Sequence, residues 1–160
     1  MKWSFLLELL SKLGFPPLFV SWIRKCITTP KFSLNINGEL AGFFGGTRGL
    51  SHGDPLSPYL FAIFMDALSM LIQKNIGNSQ REGIPFDYHW RCKKRGITHL
   101  CFADDLMLCG GVIHSVQILC QSLQGYYSLS GLMPNKGKSI VFIAGRNQRY
   151  MGAVSDLFGF

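Results

Sequence analysis

Acid is in short supply in this chain. Nine Asp and Glu face sixteen Lys and Arg, leaving a net charge of +7. That excess suits a polyanionic partner, nucleic acid first and a membrane surface second; a basic protein without such a partner carries the same charge. Close cysteine pairs are missing too. Five cysteines, an odd number with no CxxC, make no disulfide framework and fit a reduced intracellular protein whose thiols lie in the core. His89, Cys92, His99 and Cys101 match no common zinc spacing, and two of them fall on an apolar strand. Glu8 interrupts the apolar start and no small-residue cleavage site follows, which argues against a secretory signal. The longest apolar stretch, 55–72, carries Asp66 near its middle, where a carboxylate disfavours membrane insertion by roughly 2.5 to 3.5 kcal/mol. A buried core helix is expected there. Internal repeats and low-complexity tracts are absent.

What is present is enough for a packed domain: 160 residues, 48% of them hydrophobic, support one core. Leu6, Leu7, Leu10 and Leu13, then Phe19, Ile23 and Ile27, recur at helical spacing on either side of a Gly-Phe-Pro-Pro break, so two helices are expected in 1–29. "KFSLNINGEL" alternates Phe32, Leu34 and Ile36 with polar residues and turns at Asn37 and Gly38, a hairpin over 31–44. Ser57 and Pro58 suit an N-cap and first helical position for a helix running to about Lys74. Residues 75–96 show no convincing period and read as a basic connector, in which Phe86, Tyr88 and Trp90 either stack on bases or pin the loop to the core. Apolar flanks make Asp104 and Asp105 the turn of a second hairpin over 97–109. Val112 or Val116, Leu119, Leu123 and Tyr127 mark a further helix closing near Gly131, and 139–143 a last strand. The order is that of an α+β fold.

The chemistry centres on "CFADDLMLC". Two carboxylates held about 4 Å apart repel by roughly 4 kcal/mol at an effective dielectric of 20, and hard cations such as magnesium cancel that repulsion with oxygen ligation. Two-metal phosphoryl transfer needs such a pair; a solvated turn needs none of it. Upstream, "RGLSHGDPLSPYLF" sets Arg48, His52 and two glycines before a helix start, where amides and the helix terminus face either a phosphate or nothing but solvent.

Together these segments resemble the reverse transcriptase of non-LTR retrotransposons, particularly the plant LINE type. "RGLSHGDPLSPYLF" is similar to the family's template- and nucleotide-contacting motif, "THLCFADDLMLC" to its catalytic hairpin and "SGLMPNKGKS" to the lysine motif that follows, in the family's order and with "INGELAGFF" ahead of the first. The resemblance implies a partial palm subdomain of a right-hand polymerase, built of ferredoxin-like elements over 1–160. It would comprise helices in 1–29, the 31–44 hairpin, a nucleotide and template motif with its helix in 45–77, the catalytic hairpin in 97–109, and helix and strand in 112–143. It implies Asp104 and Asp105 as metal ligands, and Lys138 as the lysine assisting pyrophosphate departure. Arg48, His52, Gly53, Pro55 and Ser57 would contact nucleotide and template. Lys93, Lys94 and Arg95 suit nucleic-acid backbone. The cofactor implied is Mg2+ or Mn2+, two ions in the intact family; the partners are RNA template, DNA primer and deoxynucleoside triphosphates. Neither a membrane nor an obligate protein partner is indicated, and Lys93, Lys94 and Arg95 are too few to choose nucleus over cytoplasm.

Two departures follow from the same resemblance. His52 stands where the family has glutamine, changing the available hydrogen-bond fork. The family's first metal-binding aspartate precedes the Trp-Ser-Phe-Leu segment, which here is residues 3–6, so the chain is expected to be truncated, without first catalytic strand, fingers or thumb, to bind metal weakly and to be inactive alone. The other readings are a non-catalytic basic nucleic-acid binder and a retroelement remnant without activity.

Overall fold

Four buried leucines, Leu6, Leu7, Leu9 and Leu10, fix one face of α1 (Trp3–Lys12), which packs on α2 (Pro17–Thr28) through Val20 and Ile23. The computed structural model describes residues 1–143 and 149–159. Pro17 takes the first helical position of α2, where a missing N–H costs nothing. Between the helices Phe15 N donates to Leu10 O and Gly14 N to Ser11 O, with Gly14 at φ +83°. This paired cap requires a left-handed residue and ends α1.

The first hairpin pairs β1 (Lys31–Ile36) with β2 (Glu39–Gly45) across left-handed Asn37 and Gly38, with a bulge between Phe32 and Leu34. Its apolar side chains, Phe32, Leu34, Ile36, Leu40, Phe43 and Phe44, are all exposed.

Helix α3 runs Ser57–Arg81, beyond the stop expected near Lys74. Asn75, Gly77 and Asn78 are poor helix formers, but Ile76 continues the buried stripe of Leu68 and Ile72, and Asn75 Nδ2 donates to Ser122 Oγ at 2.9 Å, so packing overrides propensity. The helix ends on the same paired cap as α1, at Gly83. Among the described residues it is the one helix long and apolar enough to cross a membrane, by length and composition only.

The second hairpin, β3 (His99–Phe102) with β4 (Asp105–Leu108), is followed by α4 (Ile113–Ser130) and α5 (Arg149–Phe158). The buried face of α4 is Ser115, Ile118, Leu119, Ser122, Leu123, Tyr126 and Ser130; Tyr126, not Tyr127, is the aromatic that is fully buried. Burial raises the Tyr126 phenol well above its ordinary value. The strand expected at 139–143 is not formed. A strand exists by pairing, and these residues pair with no described strand; Phe142 is 90% exposed. Of the cysteines only Cys120 is buried, while Cys26 and Cys101 are exposed, so the expected core placement fails for most of them.

Two compact units are distinguished. Met1–Phe64 with Leu129–Gly131 has its core in α1, α2, Leu60 and Phe64, where Phe5 meets Phe64 edge to face at 5.2 Å. Met65–Ser128 with Leu132–Phe160 has its core in the rest of α3 and α4. Each described sheet has two strands, so both outer edges of each hairpin are unpaired among the described residues.

Candidate active site

In the first unit, the loop carrying Arg48 to Ser57 is held from the N-terminal helix. The Trp3 indole N–H donates to Gly49 O, and Gly49 N donates to Met1 O at 3.0 Å. A Cβ on Gly46 would meet Phe32 at 3.3 Å and Trp3 at 3.6 Å, so the chain passes tightly between the two rings. Further on, Asp54 Oδ1 accepts from Leu56 N at 2.8 Å and Asp54 O from Ser57 N at 3.1 Å, a local turn of the kind aspartate favours. Ser57 does not cap the helix with its side chain as expected. Its hydroxyl donates to Ser51 O at 2.8 Å, closing the loop on itself, while Asp54 Oδ1 takes the Leu56 amide just ahead of the helix. Trp3, Phe32, Arg48, Ser51, Asp54 and Ser57 line one cleft. His52, Gly53 and Pro55 form the exposed outer part of the loop.

In the second unit, the hairpin turn is Ala103 and Asp104, not Asp104 and Asp105. Asp105 is already the first residue of β4, opposite Phe102. Ala103 sits at φ +50°, a left-handed conformation that two-residue turns normally give to glycine and that costs a side-chain-bearing residue roughly 1 to 2 kcal/mol. Strand alternation puts Asp105 on one face with Phe102, Leu100 and Met107, all exposed; Phe102 is 83% exposed. Neither Asp104 nor Asp105 bonds to another described side chain, and both are open to solvent.

The base of this hairpin is anchored. His99 Nε2 lies 2.8 Å from Ser69 Oγ on α3 and its Nδ1 2.9 Å from Thr98 Oγ1, while Cys109 N donates to Thr98 O at 2.8 Å. Burial lowers the His99 pKa, with Asp66 pulling weakly the other way. Burial also pushes the Cys109 thiol up, and the adjacent Cys92 thiol adds to it, so the Cys109 sulfur is held neutral at the hairpin exit.

Lys93–Arg95 form an exposed single turn of tight helix before β3, and Lys138 ends a second such turn at Lys136–Lys138, also exposed; Lys136 Nζ donates to Gly159 O at 3.2 Å. The oxygen donors of Asp104 and Asp105 are of the kind magnesium and manganese prefer. Two are too few for a two-ion site, and the described residues contain no group of three or more His, Cys, Asp and Glu side chains placed to share a metal. Trp3 and the pair of Ser69 and His99 are positioning residues that sequence pattern does not reveal: a tryptophan on an amphipathic helix and a histidine on an apolar strand both read as core.

The chain matches one relative over most of its length and another over less than half of it. It is 30% identical over 125 residues to the retrovirus-related Pol polyprotein of the type-2 retrotransposable element R2DM of Drosophila melanogaster, covering 78% of this chain and 11% of that protein. It is 40% identical over 70 residues to an uncharacterized mitochondrial protein of Arabidopsis thaliana, covering 44% of this chain and 54% of that one. The chain thus spans about a tenth of the first relative and about half of the second. The family model described as reverse transcriptase (RNA-dependent DNA polymerase) matches residues 1–154, and with both carboxylates of the Phe-Ala-Asp-Asp hairpin displayed at its tip, this chain belongs to the reverse transcriptase family.

Proposed function

We propose that the chain forms part of the palm of an RNA-directed DNA polymerase of the plant LINE type, contributing two ligands to the metal site and the loop that meets template and incoming nucleotide. The observation that carries this reading is the tip of the second hairpin, where Asp104 and Asp105 stand side by side, exposed and unpartnered among the described side chains, at a strained turn. Strain persists where the surroundings enforce it, and functional sites are where it collects. Bound divalent ions would activate the attacking oxygen and stabilise the leaving one. Arg48 and the Gly53–Pro55 bend would face template and nucleotide, and Lys138 the departing pyrophosphate, since phosphoryl transfer is chiefly positioning and charge stabilisation. His52 carries its donor and its acceptor on separate ring nitrogens where glutamine offers both side by side as a fork, which predicts lowered discrimination.

Among the described residues two carboxylates of the set are present and no third lies beside them, which supports the reading that the chain by itself binds metal weakly and does not polymerise. Two measurements test this. Manganese titration followed by electron paramagnetic resonance should show weak binding that Asp104→Ala removes; no binding in the parent chain would overturn the palm reading. Primer extension on an RNA template with magnesium or manganese should show no incorporation. Robust extension abolished by Asp104→Ala would overturn the inactivity and keep the family role.

A further inference from the structure

We propose that Trp90 is a stacking platform for an unpaired base of a single-stranded nucleic acid, with Arg91 and Lys93–Arg95 holding the phosphates on either side of it. The proposal rests on the polymerase reading only for the source of the strand, an unpaired stretch of template.

The connector that follows α3 separates its aromatic residues into two kinds. Phe86 is buried and meets Tyr88 edge to face at 4.9 Å, Asp87 N donates to Ser115 Oγ at 2.8 Å, and Gly111 N donates to Asp87 O at 2.9 Å. That stretch is pinned to α4 and to the hairpin exit. The chain then reverses: His89 O accepts from Cys92 N at 2.8 Å and from Lys93 N at 3.0 Å, so Trp90 and Arg91 occupy the corner of a tight turn. Trp90 is 70% exposed, and the Arg91 guanidinium lies 4.7 Å from its ring centre. The three cations of Lys93–Arg95 come next on one turn of helix, all exposed, and none of the four positive side chains pairs with a described carboxylate.

A large aromatic surface left in water on a fixed turn costs burial energy that packing would recover. Beside unneutralised cations it has the two components that single-strand binding uses, a π-face for any base and positive charge along the backbone. An arginine already stacked on the ring adds attraction to the π-system and keeps a phosphate donor next to it. Duplex would gain only the charge term, since its bases are stacked on each other.

The test is equilibrium binding, by fluorescence anisotropy, of RNA and DNA single strands of about 20 nucleotides and of an abasic strand of the same length, at salt between about 50 and 200 mM. Trp90→Ala should weaken binding to a base-bearing strand by about 5- to 150-fold without changing the salt slope, Trp90→Phe should retain most of the affinity, and parent and Trp90→Ala should bind the abasic strand equally. Lys93→Ala and Lys94→Ala should each reduce the salt slope by about 0.7. Trp22→Ala, which removes the exposed indole of α2, should bind like the parent. Equal affinity of parent and Trp90→Ala for both base-bearing strands, equal loss on the abasic strand, equal loss in Trp22→Ala, or no binding by the parent chain would each overturn the proposal. Metal binding and primer extension do not enter this readout, so the stacking site and the polymerase reading fail separately.

Discussion

His99 and Ser69 are joined across 30 residues of sequence by a 2.8 Å contact between imidazole Nε2 and hydroxyl, which fastens the first strand of the Asp-bearing hairpin to α3. Because burial lowers the His99 pKa, the unfolded chain binds this proton more readily than the folded one. Stability is therefore full above the ordinary histidine value of about 6.5 and is lost as pH falls through the lower folded value. Urea unfolding of the parent should show a decline from about pH 7.5 to about pH 5 that is shallower in His99→Gln and steeper in Asp66→Asn, which removes the opposing charge.

Ser69→Ala should cost about 0.5 to 1.5 kcal/mol, the worth of one hydrogen bond between partly buried groups. Amide exchange should quicken in His99–Phe102 and Asp105–Leu108 while α1 and α2 keep their protection.

Ala103 tests the strained turn. A β-branched side chain is far less tolerant of a left-handed backbone than alanine, so Ala103→Val should destabilise the hairpin by more than about 1 kcal/mol. Ala103→Gly should leave stability unchanged or slightly raised. The measurement is thermal unfolding, with exchange rates across β3 and β4 locating the effect.

Trp3→Phe keeps the ring beside Gly46 and removes the donor to Gly49 O. The expected loss is about 1 kcal/mol, accompanied by faster exchange at the Gly49 amide, since the same turn holds that amide on Met1 O.

Gly111→Ala should be the most damaging of these changes. The added Cβ would lie 2.7 Å from Tyr88 O and 3.0 Å from Asp87 O, backbone atoms that cannot swing aside. Overpacking of this kind costs about 1 to 3 kcal/mol, and it would detach the connector from the hairpin exit, so Trp90 fluorescence should change with it.

Period and turn chemistry made the local elements legible. Asn37 with Gly38, the leucines of α1 and the apolar flanks of Asp104 and Asp105 mark structure at the positions where it occurs. What sequence could not give depends on contacts made far along the chain. The last two turns of α3 persist through Gly77 because Ile76 and Asn75 find partners on other parts of the unit, and 139–143, apolar enough for a strand, has no described strand to pair with. The candidate site divides the same way. Asp104, Asp105 and the Gly-Asp-Pro loop announce themselves by residue type, whereas Trp3, Ser69 and His99 act through geometry that no local pattern encodes. The register of the turn, with Ala103 left-handed and Asp105 already in the strand, also lay beyond pattern, since alanine is not a turn signal.

The bare rims of the two hairpins bear on how this protein behaves in a tube. Backbone donors and acceptors with no strand neighbour among the described residues, fringed by Phe43, Phe44, Leu100 and Phe102, invite a further chain to dock and continue the ladder. Concentration, more than temperature, will then govern its colloidal behaviour: dilute samples stay dispersed under their positive charge, and dense ones cluster as salt screens that repulsion.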